Sequence, residues 1–359
     1  MVYYPDMFTK LVTHGVLALL LLVPGPILAQ ESDAEWDAWE QTLTEEAEEA
    51  WEFNDAPLTE QVETPDWFQL TFLDLGEDLA DAKRAGREGL IVYFGQKYCP
   101  YCQALMEDLK QPDIRSYVQS NFHVVEVDIH GDRTVTDPEG RESSEKAFAE
   151  RENANLTPTL IFYDPEGRQA HKLTGYHSAY RFRAALEYVA DDHYQTESFR
   201  SYLQRADPNL APREGELNPS EVFAPPPFNL DRTRFPGERP LIVFFEQADC
   251  HACDVLHSGP MQRKAIRDLL DQFDTIQLGV WGETPVITPD GERLTAREWS
   301  ERLRLFYTPT LLFFDRGGEE ILRLDSVAHF YRIQGVLQYV LSGAHQEGVA
   351  LQEWSRRNR

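Results

Sequence analysis

The hydrophobic pattern changes sharply within residues 90–102, which read LIVYFGQKYCPYC. Residues 90–94 form a short apolar run rich in β-branched and aromatic side chains, which is typical of a buried strand. Beyond this run, apolar side chains recur at the spacing of a helix: Cys102, Leu105, Met106 and Leu109. The pattern therefore predicts that Cys99 lies where a buried strand becomes a helix.

The same pattern occurs a second time, 151 residues further along the chain. Residues 241–253 read LIVFFEQADCHAC, and seven of their thirteen positions are identical to those of residues 90–102. At the same offset, TPTLIFYDPEG at 157–167 matches TPTLLFFDRGG at 308–318. A repeat of this length indicates two duplicated domains and not a solenoid of small units.

Weaker patterns predict further elements on both sides of the cysteine pairs. We predict a strand over residues 67–72 and a short helix over 76–85, ahead of the buried strand that leads to Cys99. Residues 130–144 are polar and rich in turn residues, so we expect a surface hairpin or loop there. In the second copy, Gly259-Pro260 should end the helix that follows the cysteines. The second copy is also expected to lack the opening helix.

The predicted position of Cys99 favours a reactive thiolate. The first-turn N–H groups have no partners inside the helix, and the positive end of the helix dipole points at the sulfur. A cysteine with a pKa of about 8.5 is only ~3% thiolate at pH 7, whereas one with a pKa of about 7 is ~50% thiolate. Pro100 fits the first turn, where a missing N–H does no harm. Cys102, one turn on, is expected to be more buried and to act as the resolving thiol.

Each copy resembles a thioredoxin-fold domain, nearest to the periplasmic SoxW type and the C-terminal domain of DsbD. The resemblance covers roughly residues 67–203 and 228–343. It rests on a strand that leads to CxxC at a helix start, a Thr-Pro pair 59 residues after the first cysteine, and a strand-turn-strand-helix ending. The resemblance implies an α/β protein with two tandem thioredoxin-like domains, each a central mixed sheet flanked by helices. In the second domain, Cys250 and Cys253 take the roles of the first pair.

The resemblance also implies roles for the two Thr-Pro pairs. Pro158 and Pro309 match the family's cis-proline, which packs beside the active cysteines. Thr157 and Thr308 would present backbone groups to a substrate chain.

The sequence departs from thioredoxin itself in two places. The WCGPC motif is replaced in both copies. The family's buried aspartate, six residues before the first cysteine, is here Tyr93 or Phe244. Proton transfer to the resolving thiol is therefore unassigned.

Residues 1–29 have the pattern of a signal peptide. Lys10 precedes a nine-residue apolar run at 15–23, and a cut is predicted after Ala29. No cysteine follows the cut, which argues against a bacterial lipid anchor; an uncleaved N-terminal membrane anchor is the alternative. Export would place the protein in an oxidising compartment, and we predict the periplasm.

Residues 30–66 form an acidic N-terminal segment. Residues 31–66 contain fourteen acidic residues and no lysine or arginine, and apolar side chains follow a helical spacing over 36–51. We interpret this segment as a solvated acidic helix on the first domain, with a docking helix for a partner or a disordered segment as alternatives. The formal net charge of −27 argues against nucleic acid as a partner.

The first domain is predicted over residues 67–204 and the second over 241–343. Residues 205–240 contain eight prolines, which predicts an extended Pro-rich linker and not a packed element. Two aromatic residues are expected to tie this linker to a domain face: Phe223 and Phe228. Residues 344–359 form a predicted C-terminal tail.

All four cysteines lie in the two CxxC pairs, so redox chemistry is the main interpretation. A shared structural zinc site would need four thiolates at one point, although 147 residues separate Cys102 from Cys250. Copper handling is a second alternative because soft thiolates bind Cu(I), but methionine is scarce at four residues. A non-catalytic binding or chaperone module on the same scaffold is a third.

The two sites are not expected to be equivalent. Residues between the cysteines are expected to tune the thiols: Pro100, Tyr101 and His251. A protonated His251 would lower the pKa of Cys250 and make this pair the stronger oxidant, although Asp249 and Asp254 oppose the effect. An exposed spacer is the other interpretation of His251. Four other histidines are interpreted as packing or surface residues: His123, His171, His177 and His257.

These observations predict a thiol-disulfide oxidoreductase. The first cysteine of a pair attacks a disulfide of a protein substrate, a mixed disulfide forms, and the second cysteine resolves it. The resemblance favours a reductase fed by a membrane or periplasmic redox partner over an oxidase, and an isomerase is a weaker third choice. No nucleotide or flavin fingerprint is visible, so no bound organic cofactor is predicted. No metal is assigned to the sites.

Overall fold

The apolar strand that precedes Cys99 lies at the centre of a four-stranded sheet. The computed structural model describes residues 54–206 and 215–358. Strand β1 (Gly89–Gly95) pairs in parallel with β2 (Phe122–Asp128) and antiparallel with β5 (Thr159–Tyr163), which pairs antiparallel with β6 (Gln169–Thr174). The strand order is β2-β1-β5-β6. Every residue of β1 is buried, as expected for a strand covered on both faces.

Helices cover both faces of this sheet. They are α1 (Leu75–Arg84), α2 (Pro100–Asp108), α3 (Pro112–Asn121), α4 (Glu145–Arg151), α5 (Ala179–Ala190) and α6 (Phe199–Ala206). Successive side chains of a strand point to opposite faces. Leu90 and Val92 therefore pack with α1 and α4, whereas Ile91 and Tyr93 pack with α2, α3 and α5. The predicted hairpin is present as β3 (Thr134–Thr136) and β4 (Glu142–Ser144).

The second domain repeats the sheet in the order β9-β8-β12-β13. Its strands are β8 (Leu241–Glu246), β9 (Asp274–Gly279), β12 (Thr310–Phe314) and β13 (Glu320–Leu324). Its helices are α7 (His251–Ser258), α8 (Lys264–Leu270), α9 (Ala296–Arg302), α10 (Phe330–Ser342) and α11 (Leu351–Arg357). Helix α7 ends before Gly259-Pro260, as predicted. Both domains belong to one compact unit of the chain.

The strand predicted over residues 67–72 does not form. This segment makes one backbone hydrogen bond to the edge of the sheet, from the Gln69 N–H to the Val124 carbonyl oxygen (2.7 Å). Leu70 and Phe72 are fully exposed. Trp67 and Phe68 pack against the core of the first domain, so the apolar side chains of this segment do not share one buried face as those of a strand would.

Part of the predicted linker is packed, which corrects the prediction that residues 205–240 form only an extended connection. Strand β7 (Phe228–Asn229) pairs with β10 (Pro285–Ile287), which also pairs with β11 (Arg293–Thr295). The buried Arg232 donates a hydrogen bond to Asp274 (2.8 Å). Phe223 packs edge-on against Phe244, with ring centroids 5.1 Å apart. Apolar and charged contacts thus hold this proline-rich segment on the second domain.

The predicted C-terminal tail contains a packed helix, α11. Leu351 is buried, and Trp354 stacks edge-on against Tyr339 of α10. The predictions of a signal peptide and of a helix over residues 36–51 lie outside the described residues. Within residues 54–206 and 215–358, no helix has the length and apolar character needed to cross a membrane.

Candidate active sites

Each CxxC pair lies at a strand-to-helix junction and forms a disulfide. Cys99 is the N-cap of α2, and its Sγ accepts a hydrogen bond from the Cys102 N–H (3.0 Å). Cys250 caps α7 in the same way, with the Cys253 N–H 3.1 Å from its Sγ. The Cα atoms of the pairs are 5.1 and 5.2 Å apart. Both helix starts therefore direct an otherwise unpaired N–H group at the first sulfur.

The two Thr-Pro pairs lie beside these sulfurs, and both of their peptide bonds are cis. The Thr157 Oγ1 is 3.3 Å from the Cys99 Sγ, and the Thr157 carbonyl oxygen is 3.7 Å from it. In the second domain, the Thr308 Oγ1 is 3.7 Å from the Cys250 Sγ. The structure thus brings together each predicted cysteine pair and the Thr-Pro pair of the same domain, including Pro158 and Pro309.

Tyr101, predicted to tune the first site, is buried against the second domain. Its hydroxyl donates a hydrogen bond to the Asp55 carboxylate (2.8 Å) and accepts one from the His329 N–H (2.8 Å). Burial raises the pKa of Tyr101 well above its ordinary value, with the Asp55 charge adding to the rise and Arg332 opposing it. The Arg332 Cζ lies 3.3 Å from the centroid of the Tyr101 ring.

Asp55 connects the acidic N-terminal segment to the second domain. Its carboxylate accepts hydrogen bonds from the N–H groups of Tyr331 (3.1 Å) and Arg332 (2.8 Å) in the first turn of α10. This is the end of a helix that favours a negative charge. Sequence reasoning missed Asp55 because it lies among many solvated acids, and its partners are about 275 residues away in the chain.

A cleft of about 220 Å³ opens beside Cys99 and is lined by both domains. Its walls include Gln96, Thr157, Gln334, Leu351, Gln352 and Trp354. The Gln352 amide joins the walls by donating a hydrogen bond to the Asn155 carbonyl oxygen (2.6 Å). Cys99 itself is only 2% exposed, and Cys250 is 7% exposed. Helix α11, in the predicted tail, therefore helps to shape the surroundings of the first site.

A buried polar network lies at the end of strand β8. The His257 Nε2 is 2.9 Å from a Glu246 carboxylate oxygen, and the Gln277 amide donates to the same carboxylate (2.9 Å). Glu246 is fully buried. His257, interpreted from the sequence as a packing or surface residue, therefore has a buried carboxylate partner that the sequence did not indicate. The two residues are eleven positions apart on different elements, so their spacing gave no signal.

The first domain differs at the equivalent position, where Gly95 replaces Glu246. A Cβ atom on Gly95 would overlap the Tyr93 hydroxyl, so the tyrosine occupies the space next to this glycine. Burial raises the pKa of Tyr93, and the charge of Glu126 raises it further. The two domains thus place different titratable groups at this end of the central strand.

The remaining predicted tuning residues take different positions. Pro100 occupies the first helical turn of α2, as expected. His251 is exposed at the start of α7. His177 is buried among aromatic rings, and this burial lowers its pKa to about 3. Among the residues that the structure describes, no group of three or more His, Cys, Asp or Glu side chains is arranged to hold a metal ion.

Comparisons with known proteins agree with this geometry. The thioredoxin-like domain family model matches the chain twice, over residues 75–190 and 230–341. No curated protein matches the chain.

Solved structures similar to the chain include a thioredoxin-fold protein from Helicobacter pylori, with 25% identity and a TM-score of 0.30. This match covers 35% of this chain and 88% of the Helicobacter pylori protein. A thioredoxin from Thermus thermophilus is 28% identical, with a TM-score of 0.26, over 32% of this chain and 83% of its own. A disulphide isomerase from Xylella fastidiosa is 17% identical, with a TM-score of 0.25. This match covers 37% of this chain and 96% of the isomerase. The two family matches cover more than half of the residues, and the chain therefore belongs to the thioredoxin-like domain family, with one such domain in each half.

Proposed function

We propose that this protein is a thiol-disulfide oxidoreductase that exchanges disulfides with protein substrates in the periplasm. The observation that supports this best is the position of the two first cysteines. Each forms a disulfide with its partner at a helix N-terminus, and a threonine of a cis-proline loop lies beside its sulfur. The finer likeness to the SoxW and DsbD types stays a prediction.

The helix start would make each first cysteine a better nucleophile. The N–H of the second cysteine and the helix dipole both stabilise a negative sulfur. A pKa lowered from about 8.5 to about 7 corresponds to about 2 kcal/mol. This stabilisation favours the reduced pair as well, because the thiolate is one of its two sulfurs.

The reductive cycle begins with a reduced pair. The thiolate of the first cysteine attacks a substrate disulfide, so that one sulfur-sulfur bond forms, the substrate bond breaks and a substrate thiolate leaves and takes up a proton. The second cysteine then loses its proton and attacks the mixed disulfide, which releases the other substrate thiolate. Two electrons pass from the pair to the substrate, and the pair ends as a disulfide. In reverse, the same steps oxidise a dithiol substrate.

A redox partner with a dithiol would return the pair to its reduced form. We propose a membrane or periplasmic protein for this role and favour the reductase direction, on the family resemblance alone. The substrate chain would lie against the cis-proline loops, at Thr157 and Thr308. Both electrons are carried by cysteine sulfurs, so the exchange itself requires no organic cofactor.

A glutathione redox titration tests the proposal directly. The full mature protein is equilibrated over a series of glutathione buffers, alkylated and digested, and free thiols are counted by mass spectrometry at each CxxC. We expect both pairs to titrate reversibly with unequal reduction potentials. A low potential would support the reductase direction, and a high one the oxidase direction. Pairs that never cycle, or that stay blocked by bound copper, would refute the proposal and favour the binding or metal-handling alternatives.

The proposed location has its own test. If residues 1–29 are a cleaved signal peptide, N-terminal sequencing of the protein from a periplasmic extract should begin at Gln30. A chain that keeps residues 1–29 and sediments with membranes would instead support the anchored alternative.

A further inference from the structure

Equivalent segments of the two domains pack against each other. The Val327 N–H donates a hydrogen bond to the Tyr176 carbonyl oxygen (3.0 Å), and these two residues are 151 positions apart, which is the repeat offset. Their neighbours Gly175 and Ser326, also equivalent, lie in contact. The duplicated domains therefore meet by one shared surface, in the manner of a two-fold symmetric dimer.

The cis-proline loops take part in the same contact. Leu156, just before the first Thr-Pro pair, belongs to the apolar core of the second domain. Its equivalent Tyr307 belongs to the core of the first domain. Each loop thus extends into the other domain, and the surroundings of each site depend on both halves of the chain.

Two equivalent arginines reach across this contact. The Arg332 Nη2 donates a hydrogen bond to the Thr157 carbonyl oxygen (2.6 Å), which is itself 3.7 Å from the Cys99 Sγ. Arg181 instead donates to the Phe306 carbonyl oxygen (3.0 Å), two residues before Thr308. One carbonyl group therefore separates the Arg332 cation from the Cys99 sulfur. Arg181, in contrast, bonds the other loop at a residue that is not next to the cis-proline.

We propose that Arg332 of the second domain is a positioning residue for the first site, where it holds the Thr157 carbonyl and stabilises the Cys99 thiolate. This inference rests on the proposed function, in which Cys99 is the attacking thiol. A cation within a few ångströms favours the charged form of an acid. The Tyr101 ring supports the guanidinium from one side, because the Arg332 Cζ lies over its face.

The charge of Arg332 is not cancelled by a bonded carboxylate. Among the described residues it forms no ion pair. Asp55 is the acid that faces it, but this carboxylate accepts its hydrogen bonds from the Tyr101 hydroxyl and from the backbone N–H groups of Tyr331 and Arg332. Two contacts link the Arg332 cation to Cys99: its bond to the Thr157 carbonyl oxygen (2.6 Å) and the contact of that oxygen with the Cys99 Sγ (3.7 Å).

Two histidines near the cleft carry no charge at pH 7. His329 lies over the Tyr101 ring, and burial lowers its pKa. His130 contacts Gln96 (3.4 Å), and burial lowers its pKa as well. Helix α11 contributes uncharged side chains, including Gln352 and Trp354, to the cleft wall. Arg332 is the cation bonded to the Thr157 carbonyl beside Cys99, so its removal should change the field at this sulfur.

The test measures the alkylation rate of Cys99 in the full mature protein after reduction. Iodoacetamide labelling is followed from about pH 5 to about pH 9, and the Cys99 peptide is quantified by mass spectrometry apart from the Cys250 peptide. We expect R332Q to raise the pKa of Cys99 by about 1 unit. Its labelling rate at about pH 6 should then fall ~tenfold. At a pH above the pKa of Cys99 in both proteins, the reduction potential of the first pair should become about 30 mV more negative, because its thiolate form is less stable.

Two further variants separate charge from packing. R181Q removes the equivalent arginine from the same interface and should leave the pKa of Cys99 unchanged. R332K keeps a positive charge and should restore at least half of the shift seen in R332Q. Circular dichroism would establish that all three variants are folded.

The inference is overturned if folded R332Q labels with the wild-type pH profile, if R181Q gives the same shift as R332Q, or if R332K gives no rescue. The labelling profile requires no turnover, so it tests the effect of Arg332 on the pKa of Cys99 independently of the proposed function. Cycling pairs with an unshifted profile would refute the role of Arg332 alone, and a shifted profile with pairs that never cycle would refute the proposed function alone.

Discussion

Cys99 and Cys250 hold the same position in their domains, but different side chains surround them. Thr157 and Thr308 lie 3.3 and 3.7 Å from the respective sulfurs. In the first site, buried Tyr101 follows Pro100, whereas exposed His251 stands in the second motif. These differences give two chemically similar pairs separate electrostatic environments, and they are the physical reason to expect unequal reduction potentials.

Replacing a resolving cysteine should trap substrate. In C102S the mixed disulfide on Cys99 has no internal thiol to release it, so we expect covalent complexes that persist on non-reducing gels and disappear with dithiothreitol. The measurement is mass spectrometry of proteins captured by the tagged variant from a periplasmic extract. The double variant C99S/C102S should capture none through the first site, and equal capture by both variants would contradict the assigned role of Cys99.

At the level of elements, the loop between β6 and α5 places a histidine in an apolar contact. His177 is 3% exposed, and its ring centroid lies 5.7 Å from that of Phe306 and 5.4 Å from that of Tyr307, both from the second domain. Its pKa is lowered to about 3, mainly by burial and in part by the nearby charge of Arg181. The neutral ring packs well, but its protonation would place an unpaired charge between the domains.

Acid should therefore weaken the protein through this loop. The pKa of His177 in the folded state, about 3, lies below the ordinary value of 6.5, so its contribution to stability is present above about pH 6.5 and is lost as the pH falls through the window from 6.5 to 3. At pH 5 this loss is about 2 kcal/mol.

The variant H177F keeps an aromatic ring but cannot titrate. We expect it to match the wild type within about 1 kcal/mol at pH 7.5 and to be the more stable protein at pH 5. Urea midpoints at the two pH values measure this. An identical loss of stability in both proteins would show that His177 is not the group responsible.

At the level of the whole molecule, duplication has produced two domains that share their cores. Leu156 packs in the core of the second domain and Tyr307 in that of the first, although each belongs to the loop beside its own active cysteines. Arg200 extends the contact by donating to the Leu305 carbonyl oxygen (3.1 Å) and stacking over Trp281. A change at this interface should therefore affect both the stability of the chain and the chemistry of the first site.

Gly175 offers a direct test of the interface. Its φ is +82°, and a Cβ atom there would overlap the Ser326 hydroxyl of the other domain. Gly140 is a matched control, with a φ of +81° and nothing within 4 Å of its added Cβ. We expect G140A to reduce the free energy of unfolding by about 1 kcal/mol from backbone strain alone, and G175A by about 2 kcal/mol or more.

Urea unfolding of both glycine variants measures the difference. The difference between the two losses of unfolding free energy measures the interdomain clash, because the cost of an alanine at positive φ is the same in the two proteins. Equal losses would mean that the two domains move apart at little cost, and that this contact is weaker than the packing of their cores indicates.

Local patterns were sufficient where neighbours in sequence create the structure. The buried strand, the helix that starts after Cys99 and the end of α7 before Gly259-Pro260 all depend on short-range spacing. The prediction of a strand over residues 67–72 was wrong, because this segment makes one backbone hydrogen bond to the sheet edge and Leu70 and Phe72 stay exposed. Local reasoning also failed for β7, where pairing with β10 decided that a proline-rich segment would pack.

By itself, the sequence determined the duplication, the two CxxC pairs at helix starts, the paired Thr-Pro loops and thus the family. Each of these follows from residue types that recur at fixed spacing. Such spacing is enough to place a residue on a particular strand or in a particular helix turn. Only the tertiary structure decided the contacts of Asp55, of Glu246 with His257, and of Arg332. Their partners are distant in the chain or on other elements, so their contacts depend on how separate cores pack, and no local pattern encodes that.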